Sequence, residues 1–327
     1  MAETELQEAR RRFNEVSQRV RSDGNNWAEF LTCAARNHKY EFQDQLLIYD
    51  QRPDAIACAD LNLWKNHFNR SVEKETKSVK LLRANGQSVL NVFDISDTRP
   101  DFGHEFDEPP YVWQIEPEDF HDVSERLNQA YGFSSELGTQ IAAISRNFAQ
   151  NLERNGDSLY ASVSTFEDRH RLTDLLSNSL EYYLRIRCGL EIQHENFSFE
   201  NISEFDVGTV MRLGTITSGF SRQVLDNVES VVRENHERRK LESGQSRNFA
   251  NSVSRELHDG RGIDASRSES FSGIGNEAGG RHDDLSRSGV DPIGESRPAG
   301  GQSDEGNGGR NDLRESSGHL DSIPNAE

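Results

Sequence analysis

No two cysteines in this chain are spaced to share a metal. Cys33, Cys58 and Cys188 are the only three in 327 residues, odd in number and without a CxxC pair. Neither a zinc site nor a disulfide framework is indicated, and a reducing cytoplasm fits best. Long apolar runs are missing as well. The opening stretch MAETELQEARRR contains no apolar core of a signal peptide. No segment approaches the roughly 18 apolar residues that a membrane helix needs. The expectation is a soluble cytoplasmic protein with no membrane partner. Signatures of catalysis are absent too: there is no GxxxxGK[ST] phosphate loop, no GxGxxG after a strand, no GxSxG elbow and no HExxH. His194-Glu195 and His236-Glu237 lack the second histidine that would close a zinc site. The sequence therefore leads us to expect no enzyme, no cofactor and no metal.

What is present is charge, unevenly spread. The net charge is -19, but residues 1–99 balance at 15 basic and 15 acidic side chains, whereas residues 100–243 hold 13 against 26. Nucleic acid would be repelled from most of such a surface, so any contact must be local. The obvious locality is Lys65 to Arg83. Lys65, Arg70, Lys74, Lys77, Lys80 and Arg83 face only Glu73 and Glu75 there, with Trp64, His67 and Phe68 alongside. Cations that track phosphates and aromatic faces that stack bases are what single-stranded nucleic acid requires. A solvated charged face with Trp64 and Phe68 in the core accounts equally well for the same residues.

The periodicity divides the chain. Leu6, Ala9, Phe13, Val16 and Val20 mark a first helix. Asn25 or Asn26 can cap a second, bearing Trp27, Phe30 and Leu31. Phe42 to Tyr49 makes a third, and a short helix is expected around Ala59 to Phe68. From Ser78 the period changes to two: Val79 and Leu81 alternate with Lys80 and Leu82, Asn85-Gly86 supplies a turn, and Val89 to Ile95 returns as a second strand. Arg99-Pro100 opens a linker. Beyond it the pattern is helical over Pro117–Tyr131, Leu137–Leu152 and a long segment that Cys188-Gly189 ends, followed by Phe205–Leu213 and Phe220–Val232.

Past Gly244 apolar periodicity fades. That segment holds 15 of the 25 glycines, no lysine, 9 arginines and 15 acids, and it cannot bury enough surface to offset its ordering entropy. The expected architecture is thus an α+β domain over residues 1–99 (helices plus a β-hairpin), a linker over 100–110, an all-α domain over 111–243 and a disordered Gly/Ser/Arg/Asp-rich tail over 244–327. Asp94 and Asp97 follow a strand, where two carboxylates can hold a divalent metal for phosphodiester chemistry or cap the turn by accepting backbone N–H groups. No third carboxylate or lysine stands at a recognisable spacing, so the capping role is preferred. The three cysteines read as small buried hydrophobes.

Several segments carry a resemblance. Trp27-x-x-Phe30-Leu31, Tyr40-x-Phe42-x-x-Gln45-Leu46-Leu47-Ile48, Gln51-Arg52-Pro53-Asp54-Ala55, Trp64, Arg70-x-Val72 and Val92 to Thr98 resemble, in order and spacing, the N-terminal domain of ArdC-type antirestriction proteins. They are closer still to the related front of large helicase-like proteins of conjugative elements and phages. Tyr111-Val112-Trp113, Asn178 to Leu190 and Phe205 to Gly214 are similar to the helical segment that follows in those large proteins. The resemblance implies single-stranded DNA binding by the first domain, in a setting of DNA transfer or defence evasion, and gives the helical segment no role. With the basic and aromatic segment, the expectation is binding through Arg52, Trp64, Lys65, Arg70, Lys74, Lys77, Lys80 and Arg83, with residues 111–243 docking a protein such as a helicase or a host defence factor. At two points the chain departs from the pattern. Glu73-Lys74-Glu75-Thr76-Lys77-Ser78 replaces a lysine- and glycine-rich turn, and neither a metallopeptidase nor a helicase segment follows. The chain reads as the accessory front end of such a protein, complete or cut short. A partner-binding module with no DNA affinity, using its acidic helical part as the docking surface, is the alternative.

Overall fold

Thr4 caps α1 (Glu5–Ser22): its hydroxyl accepts from Gln7 N, and Gln7 reaches back to the Thr4 backbone. α2 (Gly24–Arg36) is capped by Asp23, not by Asn25 or Asn26, because the Asp23 carboxylate is placed to accept from Asn25 N. α3 (Phe42–Gln51) ends before Pro53, and α4 (Leu61–Phe68) follows with Asp60 as its cap. The computed structural model describes residues 4–83, 87–104, 110–193 and 196–259, with side chains described to residue 243. The Asn85-Gly86 turn, and all of the expected tail from residue 260 onward, lie outside the described residues.

Two small antiparallel sheets punctuate the helices. β3 (Val79–Leu82) pairs with β4 (Val89–Asp94) in the register Val79↔Val92 and Leu82↔Val89, and β4 also pairs with β1 (Cys58–Asp60), giving the order β1-β4-β3. β2 (Arg70–Val72) pairs with β5 (Thr98–Pro100). Val79 and Leu81 are buried while Lys80 and Leu82 are not, as the period of two requires. Between β2 and β3 the chain turns at Glu75, whose φ is 67°. A left-handed residue is needed there, and this chain supplies it without the glycine that would adopt it most easily.

After a short 3₁₀ turn (Pro117–Asp119) the chain forms α5 (Phe120–Tyr131), α6 (Leu137–Arg154) and α7 (Phe166–Arg187). Gly189 takes φ 67° just past the end of α7. The two helices expected at Phe205–Leu213 and Phe220–Val232 are one, α8 (Val207–Asp259). No proline interrupts the chain between Val207 and Pro292, so the helix also runs past Gly244, the expected start of the tail. The chain is mostly helical with small sheets. Its described residues belong to one compact unit, and a single apolar core contains side chains from both sides of the expected 100–110 linker, among them Trp27, Leu46, Leu176 and Tyr183.

The seam between the two parts is tied by buried polar contacts. Trp27 Nε1 donates to Ser179 Oγ at 2.9 Å, and Tyr183 OH donates to Ala34 O at 2.9 Å. Gly214 lies so close to α3 that a Cβ there would stand 2.1 Å from the Phe42 ring. Glycine weakens a helix interior by about 1 kcal/mol relative to alanine, but here it lets two helices meet. Gly214→Ala should lose more by overpacking than it gains in propensity, for a net destabilisation of about 1–2 kcal/mol in urea unfolding.

Candidate nucleic-acid groove

The eight residues singled out by sequence do not form one surface. Trp64 is 2% exposed, and its indole N–H donates to Phe93 O, so its faces serve the core and offer no platform for a base. Arg52 forms a fork with the Asp97 carboxylate at 2.8 and 3.0 Å and bonds Ser96 Oγ. Arg70 donates to the hydroxyl and carbonyl oxygens of Thr98, bracing β2 on β5. Lys80 pairs with Glu8 at 3.0 Å and Glu5 at 3.6 Å. Lys65, Lys74, Lys77 and Arg83 are exposed and have no side-chain partner among the described residues. The depression beside β3, about 870 Å³, sets Arg12, Arg52, Lys77 and Lys80 against Glu8, Asp50 and Asp97. Its charge is nearly cancelled.

Asp94 shows how the strand end is organised. It is buried, and its four bonds are all acceptances: Oδ2 from Ile56 N and Ala57 N, Oδ1 from Ser96 N and Ser96 Oγ. With Asp97 taken up by Arg52, this pair fastens the Ile56–Ala57 segment to β4. No group of three or more His, Cys, Asp or Glu side chains stands in metal-binding proximity among the described residues. Burial pushes the Cys33 thiol up to about 11, the Cys188 thiol up to about 12 and Cys58 upward too, so all three stay protonated near neutrality.

A different concavity gathers four cations around one lining carboxylate. It opens where the α2–α3 turn and α4 face the 110–113 segment, the end of α7 and the side of α8. Its volume is about 600 Å³, and a second depression of about 480 Å³ shares Arg36, Ile56, Val112, Trp113 and Arg187 with it, making one groove. Arg36, Lys39, Arg187 and Arg233 line it together with His38 and His67, and Glu229 is its one acidic residue. Ile56, Leu63 and Val112 on its walls are 45%, 44% and 37% exposed. On α4, His67 and Phe68 sit on this wall, whereas Lys65, two residues from His67, points to the other side of the helix.

The floor is built from two connected sets. Arg187 lies over the Trp113 ring, its guanidinium carbon 3.3 Å from the centroid, and donates to Trp113 O at 3.0 Å and His38 Nδ1 at 3.4 Å. Burial pulls Arg187 down to about 10, still far enough above neutrality to keep its charge. Burial also lowers His38 from its ordinary value. A neutral His38 that accepts at Nδ1 carries its proton on Nε2, which faces Glu229 Oε2 at 3.6 Å. Glu229 meets Lys39 and Arg233, each at 2.6 Å. Burial alone would raise its pKa, but contacts from His38, Lys39 and Arg233 hold it well below the usual carboxylate range.

Sequence reasoning missed this groove because its residues come from short, separate stretches spread between Arg36 and Arg233. One local signal was available: Arg36-Asn37-His38-Lys39-Tyr40 packs three basic-type side chains and an aromatic into the turn after a helix. Tyr111-Val112-Trp113 and Arg187 appear in the segments that carry the resemblance, without a role attached. Compared with known proteins, the chain matches no family model, no curated protein and no solved structure.

Two outcomes are expected. Asp94→Asn places an NH₂ group where two donors already point and should cost about 2–4 kcal/mol in chemical denaturation. Lowered in the folded state, His38 binds fewer protons than in the unfolded chain. Its stabilising contribution is full above the unfolded value of about 6.5 and is lost as pH falls below it. The fall in melting temperature between pH 7.5 and 5.5 should therefore be smaller in His38→Gln than in the native chain.

Proposed function

We propose that this protein is a non-catalytic module that binds single-stranded DNA, with the groove between the α2–α3 turn, α4 and α7 as its main contact surface. The carrying observation is the four cations Arg36, Lys39, Arg187 and Arg233 gathered against one carboxylate in a chain of net charge -19. Local positive charge of this kind draws a polyanion to one place and repels it elsewhere. Apolar and aromatic walls beside the cations suit unstacked bases. The exposed Lys74 and Lys77 on the β2–β3 connection add charge outside the groove. In this reading residues 1–99 form the α+β part that resembles ArdC-type N-terminal domains and residues 111–243 an all-α part that completes the groove. The setting is DNA transfer or defence evasion by a mobile element.

A second reading has its own support. Ile56, Leu63 and Val112, with Phe120 37% exposed nearby, give the same groove an apolar rim suited to a partner protein such as a helicase or a host defence factor.

Fluorescence anisotropy with labelled single-stranded DNA separates the two. The native chain should bind near physiological salt, and Arg36→Ala with Arg233→Ala should lower the salt slope by about 1.4, since each phosphate contact on a single strand contributes about 0.7. Lys74→Glu with Lys77→Glu should weaken binding less. If the native chain shows no binding at low salt, the DNA reading fails and the partner-protein reading takes its place.

A further inference from the structure

We propose that Arg36 and Arg187, the latter held flat on the Trp113 ring, form a phosphate-binding subsite where the two depressions of the groove join, accepting the phosphate of a nucleotide. The inference begins from the placement of counter-ions. Lys39 and Arg233 reach Glu229, Arg222 reaches Glu41, and Arg239 reaches Asp119. Arg36 and Arg187 line both depressions, and neither meets a carboxylate among the described residues. Two guanidinium groups without counter-ions are unexpected beside a helical part so rich in acids.

Arg187 is the more telling of the two. Its five N–H groups are fixed in a plane by the Trp113 ring, and two of them are used, toward His38 Nδ1 and Trp113 O. The rest meet no acceptor among the described residues. None of the Arg187 nitrogens is an enclosed, unsatisfied atom, so these N–H groups open onto the groove, where an anion can reach them. Trp113, 2% exposed, gives that plane a rigid backing where it lines the same two depressions. Arg36 has one end fixed to Pro53 O at 2.6 Å, which holds its guanidinium at the groove.

The ligand that answers this arrangement is a compact oxyanion with several acceptor oxygens. Guanidinium forks match phosphate geometry and give charge-assisted bonds to it. Ile56 and Val112 border the subsite and shield those bonds from water. The wall carrying His67 and Phe68 is continuous with it in the larger depression and offers rings to an attached base. The subsite rests on the DNA reading only for the source of its phosphate, because a free nucleotide presents the same group.

Isothermal titration of the full chain tests this with inorganic phosphate, thymidine monophosphate, thymidine and an oligothymidylate. Phosphate and the monophosphate should each saturate one site, and thymidine should give no binding. Arg36→Gln should weaken monophosphate binding about tenfold or more, as loss of one charge-assisted bond implies. The proposal is overturned if the monophosphate binds no better than thymidine, or if folded Arg36→Gln binds it unchanged. Oligothymidylate binding without phosphate or monophosphate binding removes the subsite and leaves the DNA reading standing. Phosphate and monophosphate binding without oligothymidylate binding keeps the subsite, assigns it to a free nucleotide and removes the DNA reading.

Discussion

The side-chain amide of Gln45 is the contact on which the rest depends. The two N–H groups of its Nε2 are shared among three acceptors, Asn37 O, Tyr40 O and Tyr183 OH, at 3.0–3.2 Å, with Gln45 and Asn37 themselves buried. Tyr183 passes the chain of bonds on to Ala34 O, one of the carbonyls that the end of α2 leaves without a helical donor. Arg222 of α8 closes the same turn from outside by donating to His38 O and Lys39 O. Four successive carbonyls, from Asn37 to Tyr40, are thus fixed by side chains of α3 and α8. The turn they shape carries Arg36, His38, Lys39 and Tyr40 to the groove. A backbone without regular structure can hold cations in place here because its polar groups are satisfied from several directions.

Placement of acids decides which cations are usable. Lys65 to Arg83 is basic in sequence, yet folding brings Glu8, Asp50 and Asp97 to the Lys80 and Arg52 end of it. Those pairs brace α1, α3 and β3 and leave little net field. At the groove the proportions are reversed. The helical part, acidic as a whole, supplies one carboxylate, Glu229, and two arginines, Arg187 and Arg233. Net charge over a hundred residues is a poor guide to potential over ten ångströms, since screening confines each exposed charge to its neighbourhood.

Much of the fold could be read from pattern. The helices bearing Phe13, Phe30, Leu46, Ile141 and Leu176, and the alternation of Val79 and Leu81, stand where their periodicity puts them, because one buried face must recur every 3.6 or every 2 residues. Three-residue strands such as Cys58–Asp60 and Arg70–Val72 are too short to show a period, and only pairing with β4 and β5 defines them. The break expected between Leu213 and Phe220 is absent because Gly214 serves close packing against Phe42 and ends nothing. The groove was illegible for a stricter reason. His38 meets Glu229 and Arg187 meets Trp113 across long stretches of chain, and neither pairing leaves a mark in local composition.

His38 joins these threads. Arg187 can remain charged in a largely buried place because the Trp113 ring face attracts it and a neutral imidazole accepts its Nε–H. A protonated His38 would lose that lone pair and set a second cation 3.4 Å from the first. Burial favours the neutral form and so favours the arrangement in which both sets of the floor coexist: Glu229 holding Lys39 and Arg233, and Arg187 turned to Trp113. Exchanging the two would give Arg187 a carboxylate, leave Arg233 without one and leave Lys39 with Asp226 alone. The observed division gives Arg187 to the Trp113 ring and a neutral imidazole, and the one carboxylate of the groove lining to Lys39 and Arg233.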